Sequence, residues 1–240
     1  MTMGCTVAVM QPYFFPYAGY FSLIKHTNRF IVLDTVQFIK SGWINRNRLL
    51  RQGGGSIWFN VPLLRHPHDA LINTVVINNT VPWKAKIMAQ IAPYKRIAPH
   101  YVAVRDLVER ALSPDHQSIT ALNISVLETV CGYLGFSRNF EILSETDLAY
   151  LPPKAADEWP LNICKALGDV DAYWNQPGGQ SFYDRNKYET AGIDLKFLNL
   201  ATPFYNQHHL EFIPHLSIID TLMFNTPCEA NAMLDRYTLS

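Results

Sequence analysis

Seven side chains that could bind a ligand lie in one short stretch after an apolar, strand-like run: Asp34, Gln37, Lys40, Trp43, Asn45, Arg46 and Asn47. Asp34 follows the run directly, at the carboxyl end of the predicted strand, where α/β sheets place functional groups. Arg46 can bind a phosphate through two parallel hydrogen bonds, and the Gln37 amide can donate and accept at once. An ordinary polar loop with a structural salt bridge is the alternative. The density of planar polar groups favours a substrate site, with Asp34 as a candidate catalytic base.

A second candidate site is the Pro-rich loop after the first apolar run, which contains Gln11, Tyr13, Tyr17, Gly19 and Tyr20. A helix that begins after a strand presents free N–H groups and a partial positive charge, which suits an anion. We therefore interpret Gln11, Tyr13 and Tyr20 as substrate-binding residues. A rigid aromatic loop that only covers the end of the sheet is the alternative, and composition alone favours it.

A third candidate site is the glycine-containing segment 176–184. Its glycines let backbone N–H groups approach a ligand closely, and Asp184 can accept a hydrogen bond from a sugar hydroxyl. We assign Gly179, Tyr183 and Asp184 to substrate binding on this basis. A plain turn with Asp184 near a helix start is an equally good interpretation.

The fourth candidate site lies between Tyr205 and Asp220. Asp220 falls on an apolar, helix-like stretch, where a buried carboxylate needs a partner. It is therefore a second candidate catalytic base, with Gln207 as a substrate ligand. His208 or His209 could act as a general base, with surface or capping roles as the alternative. Adjacent side chains point apart on a strand and diverge on a helix, so no metal site is predicted.

Alternating apolar runs and amphipathic stretches position these sites. Strands are predicted at residues 6–10, 30–34, 73–78, 139–143, 172–174 and 193–197, the last at a sheet edge, with a hairpin turn at residues 53–55. Helices are predicted at residues 17–28, 157–167, 187–191 and 216–224, and three helical stretches fill residues 83–134. The predicted fold class is α/β, with a Rossmann-like parallel sheet flanked by helices. We expect a single domain over residues 1–240, with a mostly helical insertion at residues 81–136.

Composition and charge exclude several classes of protein. The 240 residues include 20 basic and 20 acidic side chains, so the net charge is zero and no nucleic-acid groove is expected. The basic run at residues 45–51 is short and suits one small anion. The 4 cysteines are far apart, which predicts reduced thiols rather than a zinc or redox motif. No targeting segment or membrane span is predicted, which indicates a soluble, cytoplasmic protein.

Taken together, the quoted stretches resemble the WbqC-like family. The matching residues are spread over nearly the whole chain: Gln11-Pro12-Tyr13 with Pro16 and Gly19-Tyr20-Phe21; Asp34 with Val36-Gln37-Phe38, Lys40, Trp43 and Asn45-Arg46-Asn47; Gly179, Tyr183 and Asp184 with Ala191-Gly192-Ile193; and Tyr205, Gln207, Ser217, Asp220 and Phe224-Asn225. Two positions depart from the family pattern. Met10 stands where the family has a histidine, and Thr35 stands where it has a second acid. If that histidine does chemistry, this member has lost it or moved it.

The resemblance implies a role in surface-polysaccharide or O-antigen biosynthesis, where some members are described as glycine or aminoacyl transferases that act on an amino sugar. We therefore expect a transferase that acylates or glycylates a nucleotide-linked amino sugar, with this sugar nucleotide as its small-molecule ligand. Arg46 and the first helix N-terminus would hold a phosphate, and Gln11, Gln37 and Asn45 would orient the sugar or the acyl donor. The sequence identifies neither a cofactor nor an oligomeric state.

Two alternative functions stay open. Residues 7–38 are similar in layout to the start of pantothenate synthetase and other nucleotidyltransferases, with residues 17–20 at the place of their His-x-Gly-His motif. This similarity predicts a nucleotidyltransferase-type layout and, as an alternative function, an ATP-dependent nucleotidyltransferase or amide ligase. Neutral Tyr17 and Tyr20 supply only hydrogen bonds where those histidines stabilise phosphate charge. The other alternative is a non-catalytic partner in polysaccharide assembly, which would expose an aromatic patch.

Overall fold

The computed structural model describes residues 4–51, 53–202, 204–208 and 211–240. In this part of the chain, strands form at β1 (Thr6–Met10), β2 (Arg29–Val32), β3 (Arg46–Leu50), β4 (Ser56–Asn60), β5 (Phe140–Ile142), β6 (Ala172–Asn175), β7 (Asp194–Leu200) and β8 (Tyr237–Leu239). Helices form at α1 (Ala18–His26), α2 (Trp83–Ile91), α3 (Tyr101–Leu112), α4 (Ile119–Tyr133), α5 (Glu158–Leu167), α6 (Arg185–Thr190), α7 (Ile218–Phe224) and α8 (Pro227–Met233).

A mostly parallel sheet forms the centre of the fold. Its strand order is β5-β2-β1-β6-β7-β8, and β8 pairs antiparallel with β7 while the other neighbours pair in parallel. Numbered along the chain, the parallel strands of this sheet therefore follow the doubly wound order 3-2-1-4-5, which reverses between β1 and β6. The predicted α/β class, with a parallel sheet flanked by helices, is confirmed. The narrower nucleotidyltransferase layout stays a prediction.

The strands β1 and β2 are buried because they are apolar on both faces. Val7, Ala8 and Phe30 have 0% exposed surface, as expected for central parallel strands that are covered on both sides. The helix α1 provides the crossover that parallel pairing of β1 with β2 requires. The carboxyl ends of β1, β2 and β6 consequently meet at one edge of the sheet, and the loops that follow them converge there.

The strands β3 and β4 form a separate antiparallel hairpin, as predicted. Its turn contains Gly53, Gly54 and Gly55, whose φ angles are 87°, 120° and 72°, and glycine adopts this positive-φ conformation without strain. Residues 81–136, which follow later in the chain, contain α2, α3 and α4. The domain boundaries drawn around these helices stay a prediction.

The structure differs from the sequence prediction at three places. Residues 73–78 do not form a strand: the 3-10 turn Ile72–Thr74 is followed by single bridges at Val76 and Ile77, so no continuous partner strand is available. The strand β7 extends beyond the predicted residues 193–197 to Leu200, and β8, which the sequence did not predict, pairs with this extension at Leu198–Leu200. The helix α8 escapes sequence prediction, although Thr226 and Glu229 form a capping box at its start.

Side-chain hydrogen bonds to carbonyl groups hold the loop between β1 and α1. Asn47 on β3, only 3% exposed, donates through Nδ2 to the carbonyl oxygens of Phe14 (3.2 Å) and Phe15 (2.9 Å). Asn123 on α4, with 0% exposure, donates to the carbonyl of Pro12 at 2.8 Å. Buried carbonyls require such donors because water no longer reaches them. The hairpin and the helical segment therefore both fix this loop.

The start of α7 holds the same loop from the C-terminal part of the chain. Ser217 donates through Oγ to the Phe15 carbonyl at 2.8 Å, and the backbone N–H of Ile218 donates to the Pro16 carbonyl at 2.9 Å. Phe15 has φ = 41°, which is unusual for a bulky residue and persists only where surrounding contacts impose it. The loop thus has one defined conformation, set by three distant segments.

We expect Asn47→Ala to lower the free energy of unfolding by about 2–4 kcal/mol, because the buried Phe14 carbonyl loses its donor and the Phe15 carbonyl loses one of two. Asn45→Ala is the matched control, since Asn45 donates one bond, to the Val61 carbonyl (3.0 Å), from a partly buried position. Urea unfolding followed by circular dichroism measures both variants. Equal losses for the two would contradict this account of the loop.

Candidate functional site

A cleft of about 840 Å³ lies at the carboxyl ends of β1 and β6, where the strand order reverses. In open α/β sheets this switch point is the preferred place for a ligand, and we call the cavity the switch-point cleft. Its walls come from the loops after β1, β2 and β6 and from the start of α5. They include Gln11, Tyr13, Tyr17, Gln37, Trp43, Trp159, Asn175, Gln176, Gly179 and Tyr183.

Tyr17 and Gln176 join two sides of the switch-point cleft. The Tyr17 hydroxyl donates to Gln176 Oε1 at 2.6 Å, and Gln176 Nε2 donates to the Gly19 carbonyl at 2.8 Å. The Tyr17 ring packs so closely on Gly19 that a Cβ atom there would lie 2.4 Å from Tyr17 Cε2. Glycine is therefore required at this position. The helix start that the sequence suggested as an anion site is covered by Tyr17 and Gln176.

The polar groups of the switch-point cleft are neutral phenols and amides. Burial raises the pKa of Tyr13 and of Tyr183 above the usual 10.0, so both hydroxyls stay protonated near neutral pH. The Gln11 carbonyl accepts from the Tyr20 hydroxyl at 2.7 Å, whereas the Gln11 side-chain amide bonds to no residue in the described ranges. This amide is free to bind a ligand.

A smaller cavity of about 260 Å³, which we call the side pocket, shares four lining residues with the switch-point cleft: Tyr13, Tyr17, Trp43 and Gln176. Its lining also includes Arg48 and His215, the two side chains of this pocket that can carry positive charge. The His215 ring lies edge-on to Tyr17, with 6.0 Å between ring centroids, and His215 has φ = 55°. Such strained backbone positions cluster at functional sites.

A third concave surface carries most of the local positive charge. This basic groove, about 680 Å³ in volume, is lined by Lys40, Arg46, Arg65, His66 and His68 among other residues, and its described lining contains no carboxylate. Arg46 Nε donates to the Gly42 carbonyl at 3.2 Å, and its guanidinium lies 4.1 Å from the centroid of the Trp58 ring. Arg46 is thus partly engaged by its own loop and lies outside the switch-point cleft.

The polar stretch after β2 is divided between these two surfaces. Gln37 and Ile39 line the switch-point cleft, whereas the alternate residues Phe38 and Lys40 line the basic groove. Successive side chains of an extended segment point to opposite sides. The high density of polar residues in the sequence therefore does not correspond to one site.

The switch-point cleft brings together six of the predicted substrate residues: Gln11, Tyr13, Gln37, Trp43, Gly179 and Tyr183. Asn47 lines the side pocket, and the basic groove contains Lys40, Asn45 and Arg46. Tyr20 is fully buried beneath Gln11. Asp184 accepts from the Asn186 N–H (3.0 Å) and caps α6, which is the alternative that the sequence left open.

Asp34 is fully buried and bonds to the segment after β5. Its Oδ2 accepts from the Ser144 hydroxyl at 2.6 Å and its Oδ1 from the Ser144 N–H at 3.1 Å. The Asp34 carbonyl accepts from the Asn73 N–H at 3.0 Å. The Asp34 side chain does not line the switch-point cleft. Its role as a catalytic base stays a prediction, whereas its hydrogen bonds to Ser144 are observed.

Asp220 lies at the centre of a second buried network. Its Oδ1 accepts from the Tyr94 hydroxyl (2.6 Å), and its Oδ2 accepts from the Tyr205 hydroxyl (2.6 Å) and from Gln207 Nε2 (2.7 Å). Burial raises the pKa of the Asp220 carboxyl above the usual 3.8, and these three hydrogen bonds partly oppose that shift. Gln207, predicted to bind substrate, therefore contacts the other candidate base instead of lining the cleft.

A family model described as the WbqC-like protein family matches residues 11–232. The chain belongs to this family. It is also similar to the uncharacterized protein Rv1507c of Mycobacterium tuberculosis, with 29% identity over 227 residues that cover 93% of this chain and 95% of that protein. No solved structure matches the chain. The family expected from the quoted motifs is thereby confirmed.

The two departures from the WbqC-like motif fall close to the cleft. Met10 ends β1 and lines the switch-point cleft, where a thioether cannot transfer a proton. The Thr35 hydroxyl lies 3.3 Å from the Tyr150 hydroxyl. His215 lies in the side pocket beside the cleft, and sequence reasoning missed it because no local motif marks it.

Other candidates from the sequence do not join the cleft. His208 has φ = 50° and its ring centroid lies 6.2 Å from that of Phe224, while His209 lies outside the described residues. Within the described ranges, no group of three or more His, Cys, Asp or Glu side chains could hold a metal ion. Among the described helices, none has the length and apolar character needed to cross a bilayer.

The raised pKa of Asp220 gives a prediction with a definite sign. Folding raises this pKa above 3.8, so the native state keeps a proton that the unfolded chain has already released. The contribution of Asp220 to the free energy of unfolding is therefore greatest below about pH 4 and falls as the pH rises through the folded-state pKa. Asp220→Asn cannot titrate, so its destabilisation relative to wild type should shrink between pH 4 and pH 8. Urea unfolding at several pH values measures this difference, and a penalty that grew with pH would contradict it.

Proposed function

We propose that this WbqC-like protein is a transferase that acylates or glycylates the amino group of a nucleotide-linked amino sugar, in the biosynthesis of a surface polysaccharide such as an O-antigen. The observation that carries the proposal is the switch-point cleft, about 840 Å³ in volume, at the reversal of a doubly wound sheet. Nucleotide-containing ligands bind at this place in such folds. The polysaccharide role itself comes from the resemblance in the motifs.

The lining of the switch-point cleft suits a sugar attached to a planar base. Trp43, Trp159 and Tyr13 offer apolar ring surfaces, and the free Gln11 amide can both donate to and accept from sugar hydroxyls. Neutral donors and acceptors discriminate between hydroxyl patterns without requiring charge on the sugar. Phosphate recognition needs a cation, which the cleft obtains from the adjoining side pocket.

In this proposal, His215 removes the proton from the amino group of the sugar. The amine nitrogen of the sugar attacks the carbonyl carbon of an activated acyl donor, the bond to the leaving group breaks, and the amine proton passes to the imidazole. Imidazole is suited to such transfer near neutral pH. His215 takes this role in place of Asp34 and Asp220, because both carboxylates have 0% exposure whereas His215 lines the side pocket that adjoins the cleft.

An ATP-dependent reaction is the competing enzyme function. The residues at the place of the nucleotidyltransferase histidines are already engaged, since Tyr17 donates to Gln176 (2.6 Å) and Tyr20 to the Gln11 carbonyl (2.7 Å). Neither hydroxyl carries the positive charge that stabilises phosphoryl transfer. This observation favours the sugar-nucleotide transferase over the ligase.

Isothermal titration with UDP- and dTDP-linked amino sugars tests the proposal directly. We expect Gln11→Ala to weaken binding of the recognised sugar nucleotide by about tenfold, because one or two hydrogen bonds to the sugar are lost. Gln180→Ala is the matched control, since Gln180 is exposed and does not line the cleft, and it should leave the affinity unchanged.

The remaining outcomes point to the other functions. Binding of ATP with no sugar nucleotide bound would favour the nucleotidyltransferase or ligase. Failure of every sugar nucleotide, ATP and acetyl-CoA to bind would favour the non-catalytic partner in polysaccharide assembly.

A second experiment separates chemistry from binding. His215→Asn keeps a residue that tolerates positive φ but removes the base, so kcat should fall by about 10²–10⁴-fold with little change in substrate affinity. His66→Asn, in the basic groove, is the control and should keep full turnover. Acyl transfer followed by mass spectrometry gives kcat, and a His215→Asn enzyme within threefold of wild type would remove His215 from the mechanism.

A further inference from the structure

The side pocket combines apolar walls with a single guanidinium. Pro16, Tyr17 and Leu200 contribute apolar surface, and Arg48 contributes the positive charge, in a volume of about 260 Å³. This volume is too small for a protein segment of any length but large enough for a phosphate and the group attached to it. The pocket also opens beside the switch-point cleft, with which it shares Tyr13 and Trp43.

Arg48 has an unused hydrogen-bond donor in this pocket. Its Nε atom is buried and bonds to no partner in the described part of the chain. One terminal nitrogen donates to the His215 carbonyl, at the long distance of 3.3 Å, and Arg48 takes part in none of the ion pairs found among the described residues. A buried donor left unpaired costs about 1–3 kcal/mol. Since water does not reach Nε, a ligand in the pocket meets the rest of the guanidinium, whose positive charge has no carboxylate partner among the described residues.

The backbone of Arg48 is fixed where it can receive such a ligand. Arg48 is paired with Trp58 within the β3–β4 hairpin, and its carbonyl accepts from the Ser217 N–H at 3.0 Å. Its own N–H donates to Asn47 Oδ1 at 2.8 Å. Asn47 and Ser217 also hold the loop after β1, so the backbone of Arg48 and the cleft wall share one support. A preorganised donor loses little entropy on binding.

We propose that the side pocket is the phosphate subsite of the switch-point cleft, with the Arg48 guanidinium binding phosphate oxygens through two of its N–H groups. Planar guanidinium recognises phosphate in this two-bond geometry. The assignment rests on the proposed function in so far as the phosphate belongs to a sugar nucleotide. A phosphate-bearing acyl donor would supply the same chemistry, and the experiment below separates the two sources.

The test compares UDP, uridine, coenzyme A and inorganic pyrophosphate by isothermal titration. UDP should bind wild type at least about tenfold more tightly than uridine, since the charged bond to Arg48 adds roughly 1.4 kcal/mol or more. In Arg48→Gln the advantage of UDP over uridine should fall below about threefold. Arg48→Lys keeps the charge but not the two-bond geometry, so its preference for UDP over uridine should lie between those of wild type and Arg48→Gln.

Two further arginines on the same hairpin, Arg51 and Arg46, show whether the effect on phosphate binding is specific to Arg48. Arg51 is exposed and donates to the Gly54 carbonyl at 2.9 Å, so Arg51→Gln should bind all four probes as wild type does. Arg46→Gln tests the assignment that the sequence suggested. If Arg46→Gln rather than Arg48→Gln loses the preference for UDP, the phosphate subsite lies in the basic groove and the proposal is overturned.

The remaining outcomes distinguish this subsite from the proposed function. Tight binding of coenzyme A or pyrophosphate that depends on Arg48, without binding of UDP, would support the subsite and oppose a sugar nucleotide as its source. Equal affinity of Arg48→Gln and wild type for every phosphate probe, or no binding of any such probe to wild type, would overturn the subsite. Thermal unfolding shows whether each variant is folded. If Arg48→Gln does not fold, Arg48→Lys replaces it in the comparison with wild type.

Discussion

The rest of the structure depends on hydrogen bonds to the carbonyl groups of one irregular loop. Between β1 and α1 the chain has no ladder or helix to satisfy its backbone, yet it lies buried against the end of the sheet, where each carbonyl needs a donor. The amides of Asn47 and Asn123 and the hydroxyl of Ser217 supply these donors. Three segments far apart in sequence thus converge on the carbonyl groups of Pro12, Phe14 and Phe15. The aromatic wall of the switch-point cleft is preorganised because those donors hold the loop in one conformation.

Buried carboxylates tie the outer parts of this arrangement together. Asp220 accepts from Tyr94, in the helical segment, and from Tyr205 and Gln207, in the segment before α7. No cation takes part in this described network, so three neutral donors must offset the loss of hydration at Asp220. Asp34 plays the same part between the end of β2 and Ser144. A carboxylate that accepts several internal hydrogen bonds has a structural role, because a substrate could reach it only if those bonds broke.

Sequence reasoning predicts the parts of the fold that short-range patterns determine. The apolar runs of β1 and β2, the glycine turn of the hairpin and the helix predicted at residues 216–224 all depend on neighbours in sequence, and all are observed. Residues 73–78 are predicted as a strand but form none, and β8 is not predicted, because strand formation needs a partner that tertiary structure supplies. A three-residue strand such as β8 carries almost no periodic signal. The sheet order then follows from pairing that no local pattern encodes.

The same limit explains the outcome for the candidate site. Loops at strand ends converge, so Gln11, Tyr13, Gln37 and Tyr183 can be assigned to one place from the order of strands and loops alone. The direction of each side chain cannot be assigned in this way, and Asp34 points away from the cleft to Ser144. His215 lines the side pocket and has a backbone φ of 55°. The neighbouring sequence does not predict this conformation. Residue type and strand position therefore locate a cleft, but contacts decide which groups inside it can act.

Trp43 shows how closely the separate surfaces are connected. It lines both the switch-point cleft and the side pocket, and its ring lies 5.5 Å from that of Trp58. Trp58 in turn lines the basic groove and lies under the guanidinium of Arg46, at 4.1 Å. A row of contacting aromatic rings and a guanidinium thus runs from cleft to groove, with the two tryptophan rings tilted by 35° to each other. The switch-point cleft and the basic groove therefore share one continuous aromatic wall, with Trp43 on the side of the cleft and Trp58 on the side of the groove.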